Sequence, residues 1–320
     1  MAMGISTAIW SLVCLVTYEL ARRAGTFDYR TFFKGLLGPG WVVYEAAYLV
    51  FMLLILAVIA AASGSLLEET FRLPYWLGVA AIMALVGLLV LGGSRAIEGV
   101  MASWSLVLYA AYVALFLWCF HRFGHATVEV LTSPGPRGNW GIAGVRYAAY
   151  NIALIPPLLF PVRHLRSSRE TALAGLLAGP LAMIPGFLFY FAMVGQYPAI
   201  LDRPVPANFL LELLGSRSFQ IAFQVVLFGT LVETGAGLIH GMNQRIDHVF
   251  QERGRAMSGK ARLTLALGLL VSGTLLAGVG LVELIARGYG TLTWVFLLVY
   301  VVPVLTLGLW KLRVGGARRL

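Results

Sequence analysis

A chain of 320 residues that is 59% hydrophobic and only 12% charged, with mean hydropathy +0.84, has too few polar groups to cover a soluble domain. Its formal charge of +10 comes from basic residues spread between apolar runs rather than gathered in one patch, which excludes a nucleic-acid-binding surface. The composition is that of an all-α, polytopic protein embedded in a lipid bilayer.

Runs of about twenty apolar residues predict nine spans, near 3–21, 41–63, 74–93, 99–120, 141–162, 171–195, 218–242, 262–285 and 290–311. They are apolar nearly all round, as helices in lipid must be. Cys14 and Cys119 both fall in these runs, so neither a disulfide framework nor a metal site is expected. No basic leader or small-residue cleavage site precedes the first run.

Loop charge sets the expected orientation. One set of loops carries Arg22, Arg23, Arg30, Lys34, Arg95, Arg163, Arg166, Arg169, Arg245, Arg253, Arg255, Lys260 and Arg262, with Lys311, Arg313, Arg318 and Arg319 in the tail. The alternate set carries only Arg72, Arg122, Arg137, Arg203, Arg217 and Arg287. The strongly basic side is cytoplasmic by this rule, which puts the C-terminus inside and Met1 outside.

An internal repeat accompanies this pattern. After the first span comes a short helix-like connector, DYRTFFKGLLG (Asp28–Gly38), and then a long span. After the sixth comes PANFLLELLG (Pro206–Gly215), again followed by a long span, at an offset of about 180 residues. An odd number of spans separates the two units, so they face opposite ways. Inverted repeats of this kind build secondary transporters. We therefore expect one transmembrane domain over 1–320, with a first half-repeat at 1–120 and a second at 141–312. The second half opens on the span 141–162; its counterpart in the first half would lie before Met1.

That opening span holds YAAYNIALIPPLLFP (Tyr147–Pro161). Pro156 and Pro157 lack an N–H, so the carbonyls of Ile152 and Ala153 are expected to lose their helical partners. A break in hydrocarbon survives only where it faces protein, water or ligand. Asn151, one turn earlier, offers a donor and an acceptor. Asn151, Ile152 and Ala153, lined by Tyr147 and Tyr150, form the candidate solute site. The alternative is a proline-kinked packing helix whose tyrosines bond to neighbours.

In the span 218–242, Thr230, Glu233 and Thr234 fall at i, i+3 and i+4, on one helical face near mid-bilayer. A carboxylate at that depth normally faces a cavity or a partner. Two hydroxyls and a carboxylate suit Na⁺, or the carboxyl carries H⁺. The alternative is a structural glutamate bonded to a neighbouring helix.

Taken together, the repeat, the broken span and the polar span 218–242, in the place of the fold's eighth helix, resemble the LeuT fold of the amino acid–polyamine–organocation superfamily. Within it, GSLLEETFRLPYWLG (Gly64–Gly78), YAAYNIALIPPLLFP and FGTLVETGAG (Phe228–Gly237) resemble the YkvI-type bacterial membrane proteins, from about Gly4 to Trp310. By this resemblance the first span here corresponds to the fold's second helix, and the fold's first helix is lacking. It also implies that Thr230 and Thr234 match a sodium site, where Glu233 departs from the hydroxyl expected.

Smaller features complete the reading. Glu19 precedes Arg22 and Arg23 by three and four residues, the spacing of a helix pair. Gln220 and Gln224 are expected to bond across helices or face an external vestibule. Gly175/Gly179 and Gly237/Gly241 have the spacing of close helix contacts. The stretch 121–140 reads as a Gly- and Pro-rich external loop, and Trp41 and Trp140 as interfacial anchors. No P-loop, HExxH or GxSxG pattern is present, so neither ATP-driven transport nor an enzyme is expected, and Na⁺ or H⁺ is the only cofactor implied. The functional expectation is a secondary transporter of an amino acid or similar small organic solute in a bacterial inner membrane. The alternatives are a receptor subunit on the same scaffold and a truncated, inactive product.

Overall fold

The computed structural model describes residues 1–133, 138–156, 159–203, 205–252 and 254–314; the side chains of 94–96, 98, 101, 102, 150, 160, 248 and 252 lie outside the description. Among the described residues every regular element is helical. The order is α1 (Ala2–Ala24), α2 (Tyr29–Leu37), α3 (Trp41–Phe71), α4 (Tyr75–Leu91), α5 (Gly93–Thr132), α6 (Trp140–Ile152), α7 (Ser168–Val194), α8 (Pro206–Leu214), α9 (Arg217–Glu252), α10 (Gly259–Ala277) and α11 (Leu281–Arg313). Seven of the described segments are long and apolar enough to cross a membrane, whereas α4 has 17 residues and α6 stops after 13. The chain is an all-α polytopic membrane protein.

Local chemistry places the boundaries. Gly25, at φ 67°, closes α1, and the Thr26 amide reaches back to the Ala21 carbonyl at 3.0 Å. Asp28 caps α2 by accepting the Thr31 amide at 2.8 Å. Pro206 opens α8, and Gly215, at φ 72°, ends it. Both connectors are therefore real helices of nine residues, each followed by a long helix.

Two boundaries differ from expectation. The stretch 121–140 is not a loop throughout, because α5 continues to Thr132 and its last amides remain paired up to Ser133, the residue before a proline. The eighth span ends at Ala277 rather than near 285, and α11 starts at Leu281. Gly280, at φ 93°, makes that corner inside an unbroken apolar run, where a hydropathy window sees no boundary. Around Arg287–Tyr289, where a break was expected, α11 continues through a wide π-type turn over Leu284–Tyr289.

The helices gather into two compact units. The first comprises Met1–Phe51, Pro136–Phe187 and Arg287–Leu320. Within it α1 lies along α6, and Ser6 Oγ donates to the Gly144 carbonyl at 2.7 Å. α7 crosses α1 at Gly175 and Gly179: a Cβ on Gly175 would sit 2.5 Å from Leu15 Cα, and one on Gly179 would sit 2.5 Å from the Thr7 carbonyl oxygen. Ser11 Oγ donates to the Leu176 carbonyl at that crossing, at 2.9 Å. Glycine is required there because the backbones touch. An aromatic core fills the unit, with Phe33 stacked on Tyr44 at 3.6 Å between ring centroids, and with Phe296 and Tyr300 against them edge-on. Glu19 holds Arg22 at 2.8 Å and Arg23 at 2.6 Å, as the spacing predicts, and accepts Ser168 Oγ at 2.7 Å.

The second unit comprises Met52–Gly135 and Leu188–Ala286. Here α9 packs on α4 and α5, and α10 on α4. Leu115, Cys119, Leu210, Leu211 and Phe223 form one apolar core. Gly235 lets α4 approach α9, since a Cβ would meet Val86 at 2.9 Å. Gly241 does not make the expected contact: a Cβ there would meet nothing within 4 Å. Leu88, Leu106 and Leu275 point outward at more than 60% exposure, the kind of surface that a bilayer covers.

Candidate functional site

In the first unit, Asn139 caps α6 by accepting the Ile142 amide at 3.3 Å, and Ala148 and Ala149 are fully buried. The helix ends at Ile152, four residues before Pro156, so the expected break is present. The Ile152 carbonyl, without its usual helical partner as expected, finds another. The chain tightens into short-range turns, in which Leu154 N–H donates to Asn151 O at 3.2 Å and Ile155 N–H to Ile152 O at 2.9 Å. The Ile152 carbonyl is therefore occupied rather than free for a ligand, because a tighter turn re-satisfies a group that the proline deprives. Ile152 and Ala153 are fully buried. Asn151 is half-buried, and its Nδ2 donates to the Tyr147 carbonyl at 2.8 Å. That bond turns Oδ1 into the group without a partner among the described residues. Tyr147 is 38% exposed. The Tyr150 side chain and residues Pro157 and Leu158 lie outside the description.

Arg146 escaped the sequence reading. It sits within the apolar run 141–162, is exposed, and makes no hydrogen bond or ion pair with any described residue. A lone arginine in an apolar run is the signal that should have drawn attention to it.

In the second unit, Thr230, Glu233 and Thr234 do share one stretch of α9, and all three are half-buried. Thr230 Oγ1 donates to the Val226 carbonyl at 2.9 Å and accepts the Trp104 indole N–H at 3.2 Å. Thr234 Oγ1 donates to the Thr230 carbonyl at 2.8 Å. Both hydroxyl protons are thus spent inside the helix; the Trp104 indole takes one lone pair of Thr230, and each oxygen keeps accepting capacity. Trp104 fits against α9 because residue 229 is glycine; a Cβ there would enter the indole ring. Glu233 has no hydrogen-bond or ion-pair partner among the described residues. A carboxylate and two acceptor oxygens on one turn can hold a hard cation or a proton. Among the described residues no three His, Cys, Asp or Glu gather as a transition-metal site.

A further polar cluster lies in the same unit, and sequence spacing only hinted at it. Asn208 and Glu212 share one face of α8, and Glu69 sits in the last turn of α3. Asn208 Nδ2 donates to Glu69 Oε2 at 2.8 Å, and its Oδ1 accepts Gln224 Nε2 at 2.8 Å. Gln224 also donates to Thr70 Oγ1, and Arg217 reaches the Thr70 carbonyl at 3.1 Å. Gln224 therefore bonds across helices, as expected. Asn208 and Gln224 are 3% and 2% exposed, so this network is buried and each bond counts. Asn208→Leu strands the Gln224 amide and is expected to destabilise the protein by about 1–3 kcal/mol. Thermal unfolding in detergent checks this, and an unchanged midpoint would show that the network contributes nothing.

No protein-family model matches the chain. Over 203 residues it is 22% identical to the uncharacterized membrane protein YkvI of Bacillus subtilis (strain 168), a match that covers 62% of this chain and 57% of that protein. The matched region thus spans less than two thirds of the relative's length. With the helices described above, this similarity supports a YkvI-like, multi-pass membrane protein.

Proposed function

We propose that the chain is a secondary active transporter of a small organic solute of the amino-acid class, driven by Na⁺ or H⁺ and working by alternating access. One observation carries this reading: the element order occurs twice. A span, a nine-residue helix, a long helix and two further helices make up α1–α5, and the same order returns in α7–α11 about 180 residues later. The interrupted α6 stands before the second copy. Doubled helical sets with an interrupted helix are the construction of secondary transporters.

In this reading the solute binds at the end of α6, where Asn151 Oδ1 accepts from an ammonium or amide group, with Tyr147 and Tyr150 at its sides. Glu233 with Thr230 and Thr234 takes the coupling ion. The loop charges put the C-terminus in the cytoplasm and the α8 side outside, in a bacterial inner membrane.

The test is uptake by the full chain reconstituted in liposomes, with labelled amino acids outside and an inward Na⁺ or H⁺ gradient. Accumulation above the gradient-free control is the expected result. Saturable binding without flux points instead to a receptor, and no gradient-dependent uptake of any amino acid overturns the proposal.

A further inference from the structure

The second unit contains a cleft of about 260 Å³ lined by Glu69, Arg203, Val205, Asn208, Phe209 and Glu212. Its charges are of both signs, and Arg203 acts on Glu69 through space, but no ion pair within 4 Å joins Arg203 to Glu69 or Glu212 among the described residues. Each of the two better-placed groups is held from elsewhere. The buried Asn208 donates to Glu69 Oε2 at 2.8 Å, and Gln224 fixes that amide from behind, so the direction of the Asn208 NH₂ group is set. The Arg203 guanidinium stacks over the Phe209 ring at 4.6 Å. Its N–H groups remain available in the ring plane, because stacking uses only the face of the guanidinium. Glu212 follows Phe209 by three residues and Asn208 by four, so all three edge the cleft from one side of α8.

Opposite charges that share a small cleft without closing a contact ion pair suit a ligand carrying both signs. A guanidinium takes a carboxylate through two parallel hydrogen bonds. A pair of carboxylates takes an ammonium, and Asn208 leaves Glu69 Oε1 for that purpose. The volume suits a small solute and not a peptide or a lipid chain. We infer that this cleft is a binding site for a small zwitterion of the free amino-acid class, with Arg203 on its carboxylate and Glu69 and Glu212 on its ammonium. The site uses none of the residues of the solute position at Asn151 and does not depend on whether the chain transports.

The test is binding of each of the twenty common L-amino acids to the full-length protein in nanodiscs, measured calorimetrically. At least one is expected to bind saturably. The amine and the carboxylic acid that correspond to it, each lacking one charge, are expected to bind about tenfold more weakly or worse. Arg203→Gln and Glu212→Gln each lower the affinity about tenfold or more, while Asn151→Ala leaves it within about twofold. Both cleft residues are exposed, so the variants are expected to fold as the parent does. No saturable amino-acid binding, or binding indifferent to both cleft variants, overturns the inference. Binding lost only in Asn151→Ala overturns it too, while leaving the transport proposal standing. A calcium signal that depends on Glu212 without amino-acid binding would show the cleft to be a cation site instead.

Discussion

Glu233→Gln is expected to reduce ion-driven uptake in proteoliposomes at least about tenfold while leaving the protein folded. The glutamine keeps the size of the side chain and its ability to hydrogen-bond, but it can neither hold a charge nor release a proton. Glu233 has no partner among the described residues, so the substitution breaks no bond seen in the fold. Its melting midpoint is expected to stay or rise, because a half-buried carboxylate without a partner is costly to keep. Solute exchange across the membrane without a gradient is expected to persist, since the group at Asn151 is untouched. The wild-type ion dependence identifies the coupling ion: stimulation by a sodium gradient at fixed pH implicates Na⁺, and stimulation by a pH gradient alone implicates H⁺. Uptake and ion dependence both unchanged in the variant would remove Glu233 from the mechanism.

The second large effect concerns stability. Gly179→Val places a branched side chain where a Cβ already meets the Thr7 carbonyl at 2.5 Å and the Ser11 amide nitrogen at 2.9 Å. Two helix backbones must then separate, taking with them the Ser11 Oγ bond to the Leu176 carbonyl. Overpacking of this kind costs about 1–3 kcal/mol, and the lost bond adds to it. The expected result is a clearly lowered unfolding midpoint, with Gly179→Ala intermediate. Gly241→Ala provides the contrast. A methyl group there meets nothing within 4 Å, and alanine is the better helix former by up to about 1 kcal/mol, so that variant is expected to be neutral or slightly stabilising. Equal midpoints for Gly179→Ala and Gly241→Ala would mean that the α1–α7 crossing is not tight.

The two glycine pairs illustrate what spacing reveals. Gly175/Gly179 and Gly237/Gly241 look identical in sequence, yet the first pair lies against α1 and Gly241 faces open space. A small residue every fourth position permits a close approach but does not bring a neighbour. The break in α6 was legible because proline acts on its own backbone within four residues. The fate of the Ile152 carbonyl was not, because the chain had the option of a tighter turn. The Thr230/Glu233/Thr234 face followed from helical period alone, whereas the Trp104 indole that meets Thr230 is 126 residues away and carried no sequence signal.

What the sequence determined by itself is the class of the protein, the apolar helices, the two short connector helices and the place where α6 stops. Each depends on hydropathy, capping or ring constraints that act over a few residues. Tertiary structure alone decided which polar groups from distant parts of the chain meet. Glu69 and Asn208 are 139 residues apart, and Thr70 and Gln224 are 154 apart. Nothing local to either partner encodes such a bond. It exists because α3, α8 and α9 pack together, and burial then makes any unpaired amide or carboxylate too costly to leave alone.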